Sequence, residues 1–437
     1  GAPRSGDAPA PPRSGVRQPE QRGGVPPADG PRRDGGAGPG RRIPGTVLAL
    51  GAVSLLTDAS AELVTAMLPL YLMYGLGIGY LRLGALDGLY TGATALFRLL
   101  GGWAADRLGR PKALAVTGYG LSALTKLALP AAGSSATAIG TLVAADRTGK
   151  GIRTGPRDAM IAASVPDGDL GRAFGAHRAM DTCGALIGPL LAFAVLLAVP
   201  GGYDTAFLVS FCLAAAGVVV LVCFVRPDPA PGTPAPAAPG PAPPRVRLFA
   251  EALSRDVRRC VLAAGLLGLA TVGDMFFFLA VQQRAELPVR ALPLLPLGTA
   301  LVFMAAAAPL GRLADRIGRW RLFLGGHAVL LTAYLLMPAA PTGWLPPVLA
   351  LGLHGLFYAA TDGVLMAHVA PAIPAGARAT GLAAVQTAQA LARAGGAVAF
   401  GGLCAVVGLG TAFTLYAALL AAAVAVSAHL GPRRTAP

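Results

Sequence analysis

With 54% apolar and only 13% charged side chains over 437 residues, and a mean hydropathy of +0.60, the chain is too apolar for a soluble globular protein. Its formal net charge of +15 would suit a nucleic-acid binder, but such a protein does not carry repeated apolar runs of roughly 20 residues, the length that spans a bilayer. Composition therefore excludes a nucleic-acid partner and points to a polytopic membrane protein.

Residues 1–43 are rich in Gly, Pro and Arg and cannot bury enough apolar surface to offset their ordering entropy, so they are expected to be a disordered tail. Eight arginines against four acids give that tail a charge of +4, suited to the anionic cytoplasmic leaflet. No cleavable signal peptide is expected, because the N-terminus is polar and the first apolar run is long enough to span. Apolar segments follow at about 46–73, 84–105, 112–132, 137–163, 172–198 and 203–225. A second six lie at about 257–281, 291–314, 321–338, 346–370, 379–406 and 410–430. Between the sixes, Pro227 to Pro244 holds nine prolines in eighteen residues, a composition that favours extended, unpacked chain. The expected organisation is a tail (1–43), a six-helix bundle (44–226), a cytoplasmic linker (227–255), a second bundle (256–431) and a short C-terminus (432–437). Arg107, Arg110, Lys112, Arg157, Arg172, Arg226, Arg245, Arg247, Arg316, Arg319, Arg321, Arg378, Arg433 and Arg434 share one side, against Arg82, Arg284 and Arg290 on the other. The positive-inside rule then puts both termini in the cytoplasm. Cys183, Cys212, Cys223, Cys260 and Cys404 stand singly, with neither a disulfide framework nor metal-ligand spacing, and no metal is expected.

Polar residues inside the apolar segments are the candidates for chemistry, because an ionisable group in hydrocarbon costs about 2.5–3.5 kcal/mol on insertion scales and must face a cavity or a partner. Segment one has Asp58 and Glu62, one turn apart on a single face. They are either paired with a basic helix or serve as substrate or proton sites. Segment four holds the densest cluster: Asp146, Arg147, Lys150, Arg153, Arg157 and Asp158. Asp146 and Lys150 are four apart and can pair, while Arg153 and Arg157 could simply anchor the helix end. Segment five opens with His177, Arg178 and Asp181, spaced for a charge-paired ladder, followed by Gly184, Gly188 and Pro189. In the second half the candidates are Asp274, Gln282, Gln283, His354, Asp362 and His368, the two histidines being read first as packing residues.

The loop after segment two, Gly102-Trp-Ala-Ala-Asp106-Arg107-Leu-Gly109-Arg110-Pro-Lys112, recurs in spacing as Gly311 to Arg321, with Asp315, Arg316, Gly318 and Arg319. Two related halves are implied. Gly-x-x-x-Asp-Arg-x-Gly-Arg resembles the loop of the major facilitator superfamily between helices two and three, with a weaker copy between helices eight and nine. Asp146 to Asp158 resembles a stretch, Asp-Arg-x-Gly-Lys-Gly-x-Arg-x-x-Pro-Arg-Asp, of a largely uncharacterised prokaryotic subfamily that also has an acidic pair in helix one. Gly184-x-x-x-Gly188-Pro189 is similar to the helix-five motif of exporters that work as antiporters, but its terminal glycines are replaced by Ala192 and Phe193. A plain helix-packing face remains the alternative for that pair.

This resemblance implies an all-α membrane protein of twelve helices in two pseudo-symmetric bundles, working by alternating access. Helices one, four, seven and ten would collect Asp58, Glu62, Asp146, Arg147, Lys150, Asp274 and Asp362 around one cavity, and Asp106 would face the start of helix eleven. Arg172 has a counterpart in Arg378, whereas His177, Arg178 and Asp181 face Ala383, Ala384 and Thr387, so the polar cluster is not duplicated. The expected function is secondary transport of a small molecule across the plasma membrane, by proton antiport and export. Uptake of an organic anion by proton symport and a non-transporting sensor are the alternatives. No enzyme is expected, since His-Glu-x-x-His, a nucleophile elbow and a phosphate-binding glycine loop are all missing from the sequence. The energy source is expected to be an ion gradient without cofactors, and the protein a monomer.

Overall fold

The computed structural model describes residues 43–108, 110–166, 169–225, 254–339, 344–373 and 378–430, with 98–108, 171, 339 and 378–380 described by their backbone alone. Residues 1–42 of the expected tail, 227–253 of the linker and the C-terminus lie outside these residues, as do Gly109 and the side chains of Asp106, Arg107 and Arg378.

Long apolar runs satisfy every backbone donor internally as helix, the one open-chain solution in a bilayer. The first half comprises α1 (Gly45–Leu70), α2 (Tyr80–Leu108), α3 (Pro111–Ala128), α4 (Ala136–Ala163), α5 (Leu170–Ala198) and α6 (Tyr203–Phe224). The second comprises α7 (Arg255–Leu269), α8 (Asp274–Arg284), α9 (Leu295–Ile317), α10 (Arg319–Ala339), α11 (Leu345–Thr361), α12 (Val364–Val369), α13 (Arg378–Val407) and α14 (Leu409–Leu430). Among the described residues nine helical segments are long and apolar enough to cross a membrane, α7 with α8 and α11 with α12 each counting as one. α2, α3 and α4 are three further long helices, a number that fits the expected twelve; α4 is less apolar because it carries the charged cluster.

Residues 43–430 pack as one unit, and within it α1–α6 bundle together, α5 on α1, α4 on α2 and α3, α6 on α1 and α3. In the other half α11 lies on α9 and α10, while α14 lies on α10 and α7. The halves meet mainly where α2 runs along α13, and where α5 meets the turn Val289–Leu294. Small residues make the first contact close. A Cβ on Gly84 would fall 2.5 Å from the Ala397 carbonyl oxygen, and one on Gly88 would fall 2.7 Å from that of Ala394. Glycines at this spacing let membrane helices approach backbone to backbone. Tyr74 donates to Gln282 at 2.8 Å, and Tyr80 lies over Phe276 with ring centroids 6.5 Å apart. These contacts hold the halves together at the end marked by the Gly77 turn; the opposite end carries the Gly318 turn.

Two spans that read as continuous apolar segments are broken. The seventh stops at Leu269 and restarts at Asp274, across Ala270-Thr271-Val272-Gly273. Paired β-branched residues followed by glycine disfavour helix, and the freed Val272 N–H donates to Tyr334 Oη at 2.6 Å. The tenth breaks where Asp362 is extended and Gly363 takes φ +78°, a conformation glycine adopts without a Cβ penalty. Both candidate acids of the second half, Asp274 and Asp362, therefore stand at helix breaks, and Asp274 occupies the first turn of α8, where the helix dipole favours negative charge.

Candidate functional site

A cavity of about 290 Å³ lies between α1, α8, α9 and α11. Glu62, Asp274 and Asp362 line it together with Thr65, Thr299 and Tyr358, and Met275, Phe278, Leu292 and Phe303 supply an apolar wall. No basic side chain is among its described lining residues. Of the seven residues expected to share a cavity, these three acids do so.

The other four form a layer behind Glu62. Lys150 Nζ stands 3.9 Å from Asp58 Oδ1 and 4.0 Å from Glu62 Oε1, at ion-pair range of both and at the length of a direct hydrogen bond to neither. Arg153 adds a second cation 3.6 Å from Asp58 Oδ1 while its guanidinium covers the Tyr119 ring at 4.2 Å. The expected Asp146–Lys150 pair does not form. Instead Asp146 turns toward α3, where Lys126 Nζ donates to its Oδ1 at 2.7 Å and Ser122 donates to the same oxygen. Arg147 Nε donates to Oδ2 at 2.9 Å, and its guanidinium lies 4.0 Å over the Tyr90 ring. Lys126 and Arg147 are only 2% and 3% exposed, so Asp146 is the counter-charge that makes two buried cations tolerable. An i,i+4 spacing could not show this, because Lys126 arrives from a neighbouring helix.

At the Gly318 end of this layer the α5 cluster joins it. Ser54 Oγ lies 2.9 Å from His177 Nε2, Arg178 Nη1 donates to Asp181 Oδ2 at 3.1 Å, and Arg157 bridges Asp158 at 2.9 Å to Asp181 at 3.8 Å. The ladder within α5 is thus half formed: Arg178 takes Asp181, and His177 bonds to α1. Gly184 and Gly188 lie where α5 meets α1. A Cβ on the first would be 2.3 Å from the Leu55 carbonyl oxygen, and one on the second 2.7 Å from both Glu62 Cβ and Leu63 N. Close approach here fixes where Glu62 projects.

The second half contributes a network that the sequence reading missed. Tyr358 donates to Asp274 at 2.6 Å, and Arg393 Nη2 donates to Tyr358 Oη at 2.6 Å while lying 3.7 Å from Asp274 Oδ1. His354 stacks on Phe277 with centroids 4.0 Å apart, and its Nε2 is 3.6 Å from Asp274 Oδ1. Arg393 in α13, Lys126 in α3 and Asp87 in α2 each carried the signal of an ionisable residue inside an apolar segment. In the repeat loop, the described copy has Arg319 Nη2 donating to Asp315 at 3.0 Å and Nη1 to the Ala367 carbonyl at 2.7 Å, with Gly318 at φ +98°. Arg110 of the first copy is exposed.

Two helical bundles around a cavity lined by three acids, with paired cations in the layer behind Glu62, make this a membrane protein of the secondary-transporter type. The major facilitator superfamily model matches residues 50–397. The chain belongs to the major facilitator superfamily. It is 28% identical over 364 residues, 80% of this chain and 86% of the relative, to an uncharacterised MFS-type transporter of Methanocaldococcus jannaschii. It is 32% identical over 188 residues, 42% of this chain and 45% of the relative, to an uncharacterised protein of Mycobacterium bovis. Among solved structures the fold matches a variant of the nucleoside transporter NupG with a TM-score of 0.75 at 15% identity, covering 88% of this chain and 99% of that one. It also matches a bacterial homologue of the human lysosomal transporter Spinster, in an inward-facing unoccupied conformation, with a TM-score of 0.66 at 16% identity over 88% and 96% of the two chains.

Proposed function

We propose that this transporter exports a small, largely apolar, positively charged molecule across the plasma membrane in exchange for protons, with both termini and the Gly318 end in the cytoplasm. The observation that carries this reading is the cavity wall: Glu62, Asp274 and Asp362 alongside Met275, Phe278, Leu292 and Phe303, with no basic side chain among the described lining residues. Acidic groups on an apolar surface suit an apolar cation and disfavour an anion. Uptake of an organic anion drew on the basic residues of α4, but Arg147 is spent on Asp146, and Arg153 and Lys150 face Asp58.

Exchange follows from two acids sharing one lysine. Lys150 can neutralise Asp58 or Glu62; Asp58 also keeps Arg153, so when Lys150 turns to Asp58 it is Glu62 that can hold either a proton or the substrate's charge, and each ligand displaces the other. On this reading the contacts at the Gly77 end close that side, and substrate would enter from the Gly318 end. Proteoliposomes with an acidic lumen, given a fluorescent lipophilic cation, test the reading. Accumulation that collapses when an ionophore dissipates the pH gradient is expected. Accumulation indifferent to the gradient would sink proton exchange, and transport of an organic anion in its place would reverse the substrate's charge.

A further inference from the structure

Asp87 lies in α2 outside the cavity and outside both charge networks. It is 5% exposed, and its Oδ2 has no hydrogen-bond partner. It projects between Gly84 and Gly88, the residues through which α2 touches α13, into the break of the seventh span. The fit there is close: a Cβ on Gly273 would lie 1.7 Å from Asp87 Oδ2, so the carboxyl occupies the space that the missing side chain leaves. Asp87 belongs to one half of the protein and Gly273 to the other, so this contact exists only while the Gly77 end is closed.

The charged groups facing Asp87 are Asp274 at the start of α8 and Arg393 of α13. Arg393 is committed to Tyr358 and Asp274. On the other side of α2, α4 presents Arg147, whose guanidinium is bound to Asp146 and lies over Tyr90. An ionised carboxylate buried beside a second carboxylate, with no donor on Oδ2, is costly, and neutralisation relieves that cost. Opening the seam would hydrate Asp87 and remove the penalty.

We propose that Asp87 is a proton-binding site in the seam between the halves, loaded when the Gly77 end closes and emptied when it opens. The proton binds Oδ2, no other bond changes, and the proton leaves to water once α2 and α13 separate. Closure is then linked to proton uptake at a place distinct from Asp58 and Glu62. One titrating group gives at most about a tenfold shift in the open-to-closed ratio per pH unit. This inference rests on alternating access but not on export, on the substrate's charge or on Asp58.

Infrared spectroscopy of the purified full chain at neutral pH tests the loaded state without any transport. The wild type should show a protonated-carboxyl C=O stretch that is missing from Asp87→Asn; coincident spectra overturn the proposal. Gly273→Ala keeps the acid but displaces it, so it should shift that band, and an unshifted band also counts against the site. For the linkage, spin labels go on Gly79→Cys and Val406→Cys, with the native cysteines replaced. Both positions are open, Gly79 with nothing near its Cβ position and Val406 83% exposed. As pH rises, the wild-type distance distribution should move toward the separated state, whereas Asp87→Asn should stay closed. The same pH response in both proteins would refute the linkage. Failure of cation transport with the infrared band intact would instead fault the export reading alone.

Discussion

Lys150 of α4 reaches to 3.9 Å from Asp58 of α1 and is the point where the two helices' charges meet. Arg153 approaches the same oxygen of Asp58 at 3.6 Å, so this acid is held by two cations while Glu62 has one. Asp58→Asn is expected to abolish gradient-driven flux yet retain substrate binding and substrate exchange, because the neutral amide mimics the protonated acid. Proteoliposomes with and without an imposed pH gradient separate these activities. Wild-type flux in the variant would move the coupling role to Glu62 or to the second half.

Asp146 is expected to behave as a structural residue. Its replacement by Asn leaves Lys126 and Arg147 buried without a counter-charge, a loss of about 3–5 kcal/mol. Lys126→Met should cost less, since Asp146 keeps Arg147 and Ser122. Thermal unfolding in detergent checks the order; a stable, folded but inactive Asp146→Asn would return that acid to the transport site.

Tyr358 links Asp274 to Arg393 through two hydrogen bonds of 2.6 Å. Tyr358→Phe removes both bonds from two partly exposed charged groups, at about 1 kcal/mol. Substrate affinity should fall, because Asp274 and Tyr358 line the cavity. Binding measured by tryptophan quenching or calorimetry decides it, and unchanged affinity would place the substrate elsewhere.

Glycine substitutions separate close packing from tolerance. Gly184→Ala and Gly188→Ala drive a Cβ into the backbone of α1 and are expected to destabilise by about 1–3 kcal/mol, the usual cost of overpacking. Gly120→Ala, with nothing within 4 Å of its Cβ position, should be neutral or stabilising by up to about 1 kcal/mol. Melting temperatures of the three variants provide the comparison.

The α5 cluster has no counterpart in the second half, so His177→Ala or Asp181→Asn should impair transport more than replacement of Arg378. Asp181 receives Arg178 and faces Arg157, and His177 bonds to Ser54 of α1. Flux at matched protein levels measures this. Equal losses would make the cluster architectural.

Hydropathy and the repeated loop were enough to read an all-helical membrane fold and the superfamily, because a bilayer demands long apolar helices whatever their neighbours. They also picked out Asp58, Glu62, Asp274 and Asp362, since a carboxylate in an apolar run is costly in any packing. Partners were a different matter. Lys150 is four residues from Asp146 but faces Asp58 and Glu62 of α1, and Asp146 is claimed by Lys126 from α3; which cation reaches which acid depends on helix rotation and distance, and no single-helix spacing encodes either. At the break before Asp274 the local sequence disfavours helix, but it is tolerated because Tyr334, from another helix, accepts the freed Val272 N–H. Asp87 shows the division most sharply: its type and depth were legible from the chain, but that its carboxyl rests on Gly273 of the opposite half, unpartnered, is decided by how α2 and α13 pack.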